Sequence, residues 1–254
     1  MNRDNSFLLG VAVVFLSSIV LTTLWAHNPE VLRLVPATIW LVTLGVYIIV
    51  FGLFGYAASG KLYGVLIDKD GMVSLSRFQL VAWTVLLLSA LQAAGILNSA
   101  LVDFPYPEDK PPEVLGALDI AIPAQIWALL GLGAFTALAE PNLSEGRANR
   151  LRATDGRKTG WSNMVSDERG KPTDIAQIQL LALTTLLLAV YAMEMFGIFP
   201  PKMASEPKPI ATFPEISGGF LALLGVSHAT FLARRSSLGK SMQSRTSVAA
   251  GPHE

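Results

Sequence analysis

The chain has 254 residues, 52% of them hydrophobic and only 15% charged, and its 19 basic and 19 acidic side chains cancel. Mean hydropathy is positive, so the composition excludes a soluble domain of ordinary usage and describes a membrane protein; zero net charge gives no support to a nucleic-acid partner. With no cysteine at all, disulfides, thiol catalysis, iron–sulfur clusters and cysteine-ligated zinc are excluded too.

Residues 7–26 are an unbroken apolar or small run, long enough at about 1.5 Å per residue to cross a hydrocarbon core of about 30 Å. The segment before it carries only Arg3 balanced by Asp4, and Leu24-Trp25-Ala26 offers no small-x-small cleavage pattern. The run is therefore expected to be a retained helix and not a signal peptide. Pro36 opens a second span over 37–58, a position that helix starts tolerate, and Gly45, Gly52 and Gly55 suggest a close-packed face. Residues 60–74 are polar and hold Asp68-Lys69-Asp70-Gly71 between β-formers, the signal of a tight hairpin. A third span follows over 78–101, with Ser74 or Ser76 as its cap and Ser76-x-x-Gln79 as a capping box.

The loop after it is acidic and stiffened by Pro105, Pro107, Pro111 and Pro112, so it lies outside the membrane. A fourth span covers 120–139. The connection from 140 to 172 is basic, with Arg147, Arg150, Arg152, Arg157, Lys158, Arg169 and Lys171, and ends in a second charged turn capped by Thr173 or Asp174, with Asp174-x-x-Gln177 as a second capping box. Spans five and six cover 175–199 and 216–233, and residues 236–254 lack apolar periodicity and read as a disordered tail.

The chain says part of itself twice. Gln79, Leu80, Ala82, Thr84 and Leu86-Leu87-Leu88 recur 100 positions later as Gln179, Leu180, Ala182, Thr184 and Leu186-Leu187-Leu188. Ala128-Leu129-Leu130-Gly131 and Thr136 recur as Ala222-Leu223-Leu224-Gly225 and Thr230. The expected fold is an all-α integral membrane protein of six transmembrane helices. It divides into an N-terminal hairpin (1–60), a first two-helix repeat with its turn (61–140), a basic loop and second repeat (141–235), and the tail (236–254). An even number of spans per repeat makes the repeats parallel. Placing both termini in the cytoplasm puts 15 of the 19 Lys and Arg there, all but Arg33, Lys110, Lys202 and Lys208, as the positive-inside rule demands.

Ionisable groups inside spans are the default functional candidates. Glu194 stands near the outer end of span five and has two readings, a carboxylate reaching headgroups or a cation or proton site. His228 in span six has two as well, a hydrogen bond to a neighbouring helix or ligation of a pigment such as haem; the aligned position in the first copy is Ala134, so the repeat does not double a ligand. Gln79 and Gln179, with Thr84 and Thr184 about one and a half turns deeper, form a recurring polar set that either lines a pore between copies or satisfies helix contacts. Ser89, Gln92 and Ser99 fall near one face of span three. Gly131, and Gly225 with Ala229 and Ala233 at four-residue spacing, form small faces that let helices approach closely. No nucleotide loop, zinc-hydrolase motif or nucleophile elbow is present, so an enzyme is not expected, and neither is a cofactor or bound metal.

The charged turn ending in Gly, then Ser74-Leu75-Ser76-Arg77-Phe78-Gln79-Leu80-Val81-Ala82-Trp83-Thr84, and the later Ala222-Leu223-Leu224-Gly225-Val226-Ser227-His228-Ala229-Thr230, resemble uncharacterised bacterial polytopic membrane proteins with a tandem two-helix repeat. The resemblance covers 64–139 and 161–235. It implies a multi-pass protein of the bacterial inner membrane and carries no catalytic or binding residue. Function then rests on two expectations: a homo-oligomeric channel subunit lined by Gln79, Thr84, Gln179 and Thr184, or a non-conducting anchor whose basic segment 141–172 docks a cytoplasmic protein.

Overall fold

The computed structural model describes residues 3–26, 36–68, 72–101, 116–143, 175–199 and 208–249. Among them are six α-helices: α1 (Arg3–Ala26), α2 (Pro36–Ser59), α3 (Leu75–Leu101), α4 (Ala124–Leu143), α5 (Ile175–Ile198) and α6 (Gly218–Ala249). One 3₁₀ turn, Gly64–Leu66, and two isolated β-bridges complete the regular structure of these residues. Three helices, α2, α3 and α5, are long and apolar enough to cross a membrane; α1, α4 and α6 carry shorter apolar stretches. The chain is a helical membrane protein.

The reason for each helix is visible in its ends. Ser74 caps α3: its hydroxyl accepts from Arg77 N–H at 3.4 Å and its carbonyl from Phe78 N–H at 3.0 Å. Ser217 does the same for α6 through Phe220 N–H, at 3.2 Å to the hydroxyl. These caps start α3 three residues before the expected boundary and α6 two residues after it, because the capping side chain, not the first apolar residue, sets where helical hydrogen bonding begins. The expected capping box of Ser76 and Gln79 does not form. Ser76 Oγ has no partner among the described residues, and Gln79 points elsewhere. At the other end, α2 stops at Gly60, which takes a left-handed conformation (φ 71°) and returns its N–H to Tyr56 O at 2.8 Å.

The helix α4 begins at Ala124 and not near residue 120, since Ala121 is used in another way. Its N–H donates to Ala211 O at 2.8 Å and its carbonyl accepts from Phe213 N–H at 3.1 Å, a parallel bridge that holds the backbone extended. The last helix runs to Ala249, where a disordered tail from 236 was expected. Once a helix is nucleated each further residue adds one hydrogen bond, so a polar sequence without Pro can prolong a span that an apolar sequence began. The second charged turn with its caps, the acidic segment 102–115, the basic segment 144–174 and the tip of the first hairpin at 69–71 lie outside the described residues. The flanks of that hairpin do meet: Ile67 and Val73 bridge antiparallel, and Met72 N–H donates to Asp68 Oδ1 at 3.0 Å.

Two compact units emerge. One comprises Met1–Val65, Val81–Trp127 and Leu188–Glu215; the other Leu66–Leu80, Ala128–Leu187 and Ile216–Glu254. The helices α3, α4 and α5 contribute a segment to each. In the first unit α1 packs on α2, with Phe15 and Tyr47 edge to face at 5.3 Å, and Trp40 stacks on Phe199 at 5.6 Å. Thr43 of α2 reaches across to the Ser89 carbonyl of α3 at 3.2 Å. The apolar stretch of α3 is 61% buried, against 33% for α2 and 28% for α5, so α3 is the most enclosed of the three long spans. On the other helices Leu41, Val42, Ile48, Ile49, Leu186, Val190, Met193 and Val226 are exposed, greasy surface that only lipid or another apolar surface would cover.

The glycine face expected on α2 reduces to one residue. Gly45 has open space around it and Gly52 makes ordinary contacts, but a Cβ on Gly55 would strike the backbone of Leu62 and Gly64, and one on Gly64 would strike Gly55 O and the Ser59 hydroxyl. Gly55 serves the turn that follows α2, not a helix pair. Gly55→Ala and Gly64→Ala are each expected to lower stability by about 1–3 kcal/mol, whereas Gly45→Ala is expected to leave it unchanged or raise it by up to about 1 kcal/mol through helix propensity. Detergent-micelle unfolding with increasing dodecyl sulfate measures all three.

Candidate functional site

Three helices bring three polar side chains together in the second compact unit. Gln79 sits one turn into α3, Thr184 in the middle of α5, and His228 ten residues into α6. The Gln79 amide lies between the others. Its Nε2 is hydrogen-bonded to Thr184 Oγ1, and its Oε1 lies 3.1 Å from His228 Nε2. His228 Nδ1 in turn lies 3.0 Å from the carbonyl oxygen of Leu224, one turn back on its own helix. All three side chains are shut away from the surface, with exposures of 2%, 1% and 2%.

Local sequence explains why they can meet. On α5, Gln177, Leu180, Thr184, Leu187, Tyr191 and Met195 recur at three- and four-residue spacing and are the buried positions, so Thr184 lies on the inward stripe. On α6 the buried positions are Leu224, Ser227, His228 and Phe231, again one stripe. Gly133 of α4 lies against Leu80, where a Cβ would stand 4.0 Å from the Leu80 Cα and so just fit. An amide, a hydroxyl and an imidazole buried in apolar surroundings each lose water, and a lone one would cost several kcal/mol. Linked in a row, they supply one another's missing partners.

The remaining sequence candidates are dispersed. Thr84 is half-buried, and Gln179, which aligns with Gln79, is exposed. Gln92 is half-buried in the first unit; its Nε2 donates to Thr22 Oγ1 of α1 at 3.4 Å, while its Oε1 has no partner among the described residues. The neighbouring serines do not extend a wet stripe, since Ser89 and Ser99 donate to carbonyls of their own helix, Leu86 O at 2.9 Å and Ile96 O at 2.8 Å. Glu194 is exposed. Gly131 and Gly225 have nothing within 4 Å of a hypothetical Cβ, and Ala229 is exposed, so these small faces are open in the isolated chain.

Asn98 is a buried residue that sequence reading passed over. Its Nδ2 donates to Ile210 O at 3.0 Å and its Oδ1 accepts from Ile210 N–H at 2.8 Å. The side chain thereby pairs with a backbone as a neighbouring strand would, next to the bridge of Ala121 with Thr212. Its only sequence signal is an amide within the last turn of an apolar helix, with nothing to indicate a partner 112 positions away.

Compared with protein-family models, curated proteins and solved structures, the chain matches none of them.

Hydrogen bonds between helices in a bilayer contribute about 0.6 kcal/mol on average and up to about 1.7. Thr184→Val and His228→Phe are expected to lower stability within that range. The double variant Gln79→Ala/His228→Ala is expected to cost less than the sum of its singles, and a double-mutant cycle in detergent micelles reads that coupling.

Proposed function

We propose that the chain is a membrane anchor subunit of the bacterial inner membrane: six spans with both termini cytoplasmic, presenting the basic segment 141–172 and two charged turns to a soluble partner. One observation carries this reading. The polar side chains best suited to line a water path, Gln79 and Thr184, are buried and bonded to each other, and Gln79 also to His228. Polar groups used up in this way hold helices together, and the apolar exterior anchors the result in lipid. The seven Lys and Arg between 147 and 171 are a charge-dense docking element of the kind that steers association with an acidic surface.

A second reading has its own observation. The small faces at Gly131 and at Gly225 and Ala229 are open, and Gln179 is exposed. A neighbouring copy packed on them would bury Gln179 and make the assembly a homo-oligomeric channel subunit, with the two sequence copies arranged as parallel repeats.

Native mass spectrometry after mild extraction from the host membrane separates the two. The anchor predicts a hetero-complex whose soluble partner is lost when Lys and Arg from 147 to 171 are changed to Ser. A complex of this chain alone, conducting when reconstituted, would replace the anchor by the channel.

A further inference from the structure

Both ring nitrogens of His228 face an oxygen, Leu224 O at 3.0 Å from Nδ1 and Gln79 Oε1 at 3.1 Å from Nε2. A neutral imidazole has one N–H and one lone pair, so two facing oxygens satisfy it only when it carries a second proton. A helix carbonyl cannot turn away, and Nδ1–H donates to Leu224 O in every state. The Gln79 amide can turn. A half-rotation about its last torsion exchanges oxygen and nitrogen within the same volume, after which Gln79 Nε2–H donates to the bare Nε2 of a neutral ring and Thr184 Oγ1–H donates to Gln79 Oε1. A hydroxyl both donates and accepts, so Thr184 serves either orientation without moving.

We propose that Gln79, Thr184 and His228 are a proton-binding site with two complete hydrogen-bond arrangements, in which protonation of His228 Nε2 and reversal of the Gln79 amide are one event. Each arrangement has three bonds joining the same four residues; two of the three reverse direction as the Gln79 oxygen and nitrogen change places. The proton comes from water and returns to it. Gln79 is the fifth residue of α3, about 6 Å along the axis from the helix start at 1.5 Å per residue, so the proton does not cross the apolar core to arrive. The site goes beyond the anchor reading and does not depend on it.

No other charge among the described side chains holds the ring. On α3, Arg77 is two positions before Gln79, but its Nη1 donates to Ile67 O at 2.6 Å. On α5 the ionisable residues are Tyr191 and Glu194, seven and ten positions past Thr184 and both within the first compact unit. On α4 the first is Glu140, seven positions past Gly133; on α6 the next is Arg234, six past His228. With no counter-ion among the described side chains, the ring is expected to carry one proton, on Nδ1, at neutral pH.

Magic-angle-spinning NMR tests this on the full chain in lipid bilayers, with ¹⁵N-labelled His and Gln and with His27→Gln and His253→Gln leaving His228 as the sole histidine. Titrated across pH 5–8, Nε2 is expected to move from the range of a bare ring nitrogen to that of a protonated one, and the Gln79 side-chain amide signal to shift with the same midpoint. A neutral Nε2–H tautomer, a ring doubly protonated throughout, or a ring that titrates while the Gln79 amide stays still would overturn the proposal. Gln79→Leu gives a second readout that keeps the cavity filled: the ring still titrates, but the Thr184 hydroxyl environment no longer follows it. A Thr184 response that persists in Gln79→Leu refutes the amide as the link.

Discussion

A polar group inside hydrocarbon must find its partner within the protein, because no water is there to stand in. Helices meet that demand for the backbone, and the rest of this structure is the answer for side chains. Serine and threonine hydroxyls mostly turn back onto their own helix, as Ser18, Ser99, Thr136 and Thr230 do. Amides and the imidazole are too long or too polar for that local solution and reach another segment: Gln92 to Thr22, Asn98 to Ile210, Gln79 to Thr184 and His228. The three amides that make these long connections all stand on α3, the most enclosed span.

How much of this was legible in the sequence divides along the same line. The helices were, three of them long and apolar enough to cross a membrane, because a run of apolar residues states its own environment, and Ser74 was, because a cap acts on its own helix. The start of α4 was misplaced by a few residues for a converse reason: the backbone of Ala121 is claimed by residues near 212, which no local pattern announces. Gln79, Thr184 and His228 were each singled out as polar residues in apolar company. A hydrogen bond to a neighbouring helix was one of two readings for each, beside a pore for Gln79 and Thr184 and a pigment for His228; which helix each would meet was not foreseen, because periodicity gives the face on which a residue lies and never the helix that face will meet. Gln179 and Gln79 occupy aligned positions in similar sequences, yet one is exposed and the other buried, so similarity of local sequence does not transfer to surroundings.

The polar junction also explains why a single histidine suffices. Its aligned position is Ala134, and one ring closes the row that starts at Thr184 and passes through Gln79. A second imidazole opposite an exposed Gln179 would have nothing to close. The asymmetry between the two sequence copies is thus chemical before it is architectural.

The pairing of Asn98 with Ile210 has a consequence in time. At about 5–20 residues per second, a ribosome takes about 6 to 22 s to make the 112 positions between them, and α3 enters the membrane during that interval carrying an amide whose mate does not yet exist. The mate, when it comes, is a peptide bond and not a side chain. Residue 210 is therefore free to be almost any amino acid except proline, which lacks the N–H, while residue 98 must offer donor and acceptor at one length. Drift at one end of the contact and fixity at the other is the pattern such a one-sided pairing leaves in a lineage.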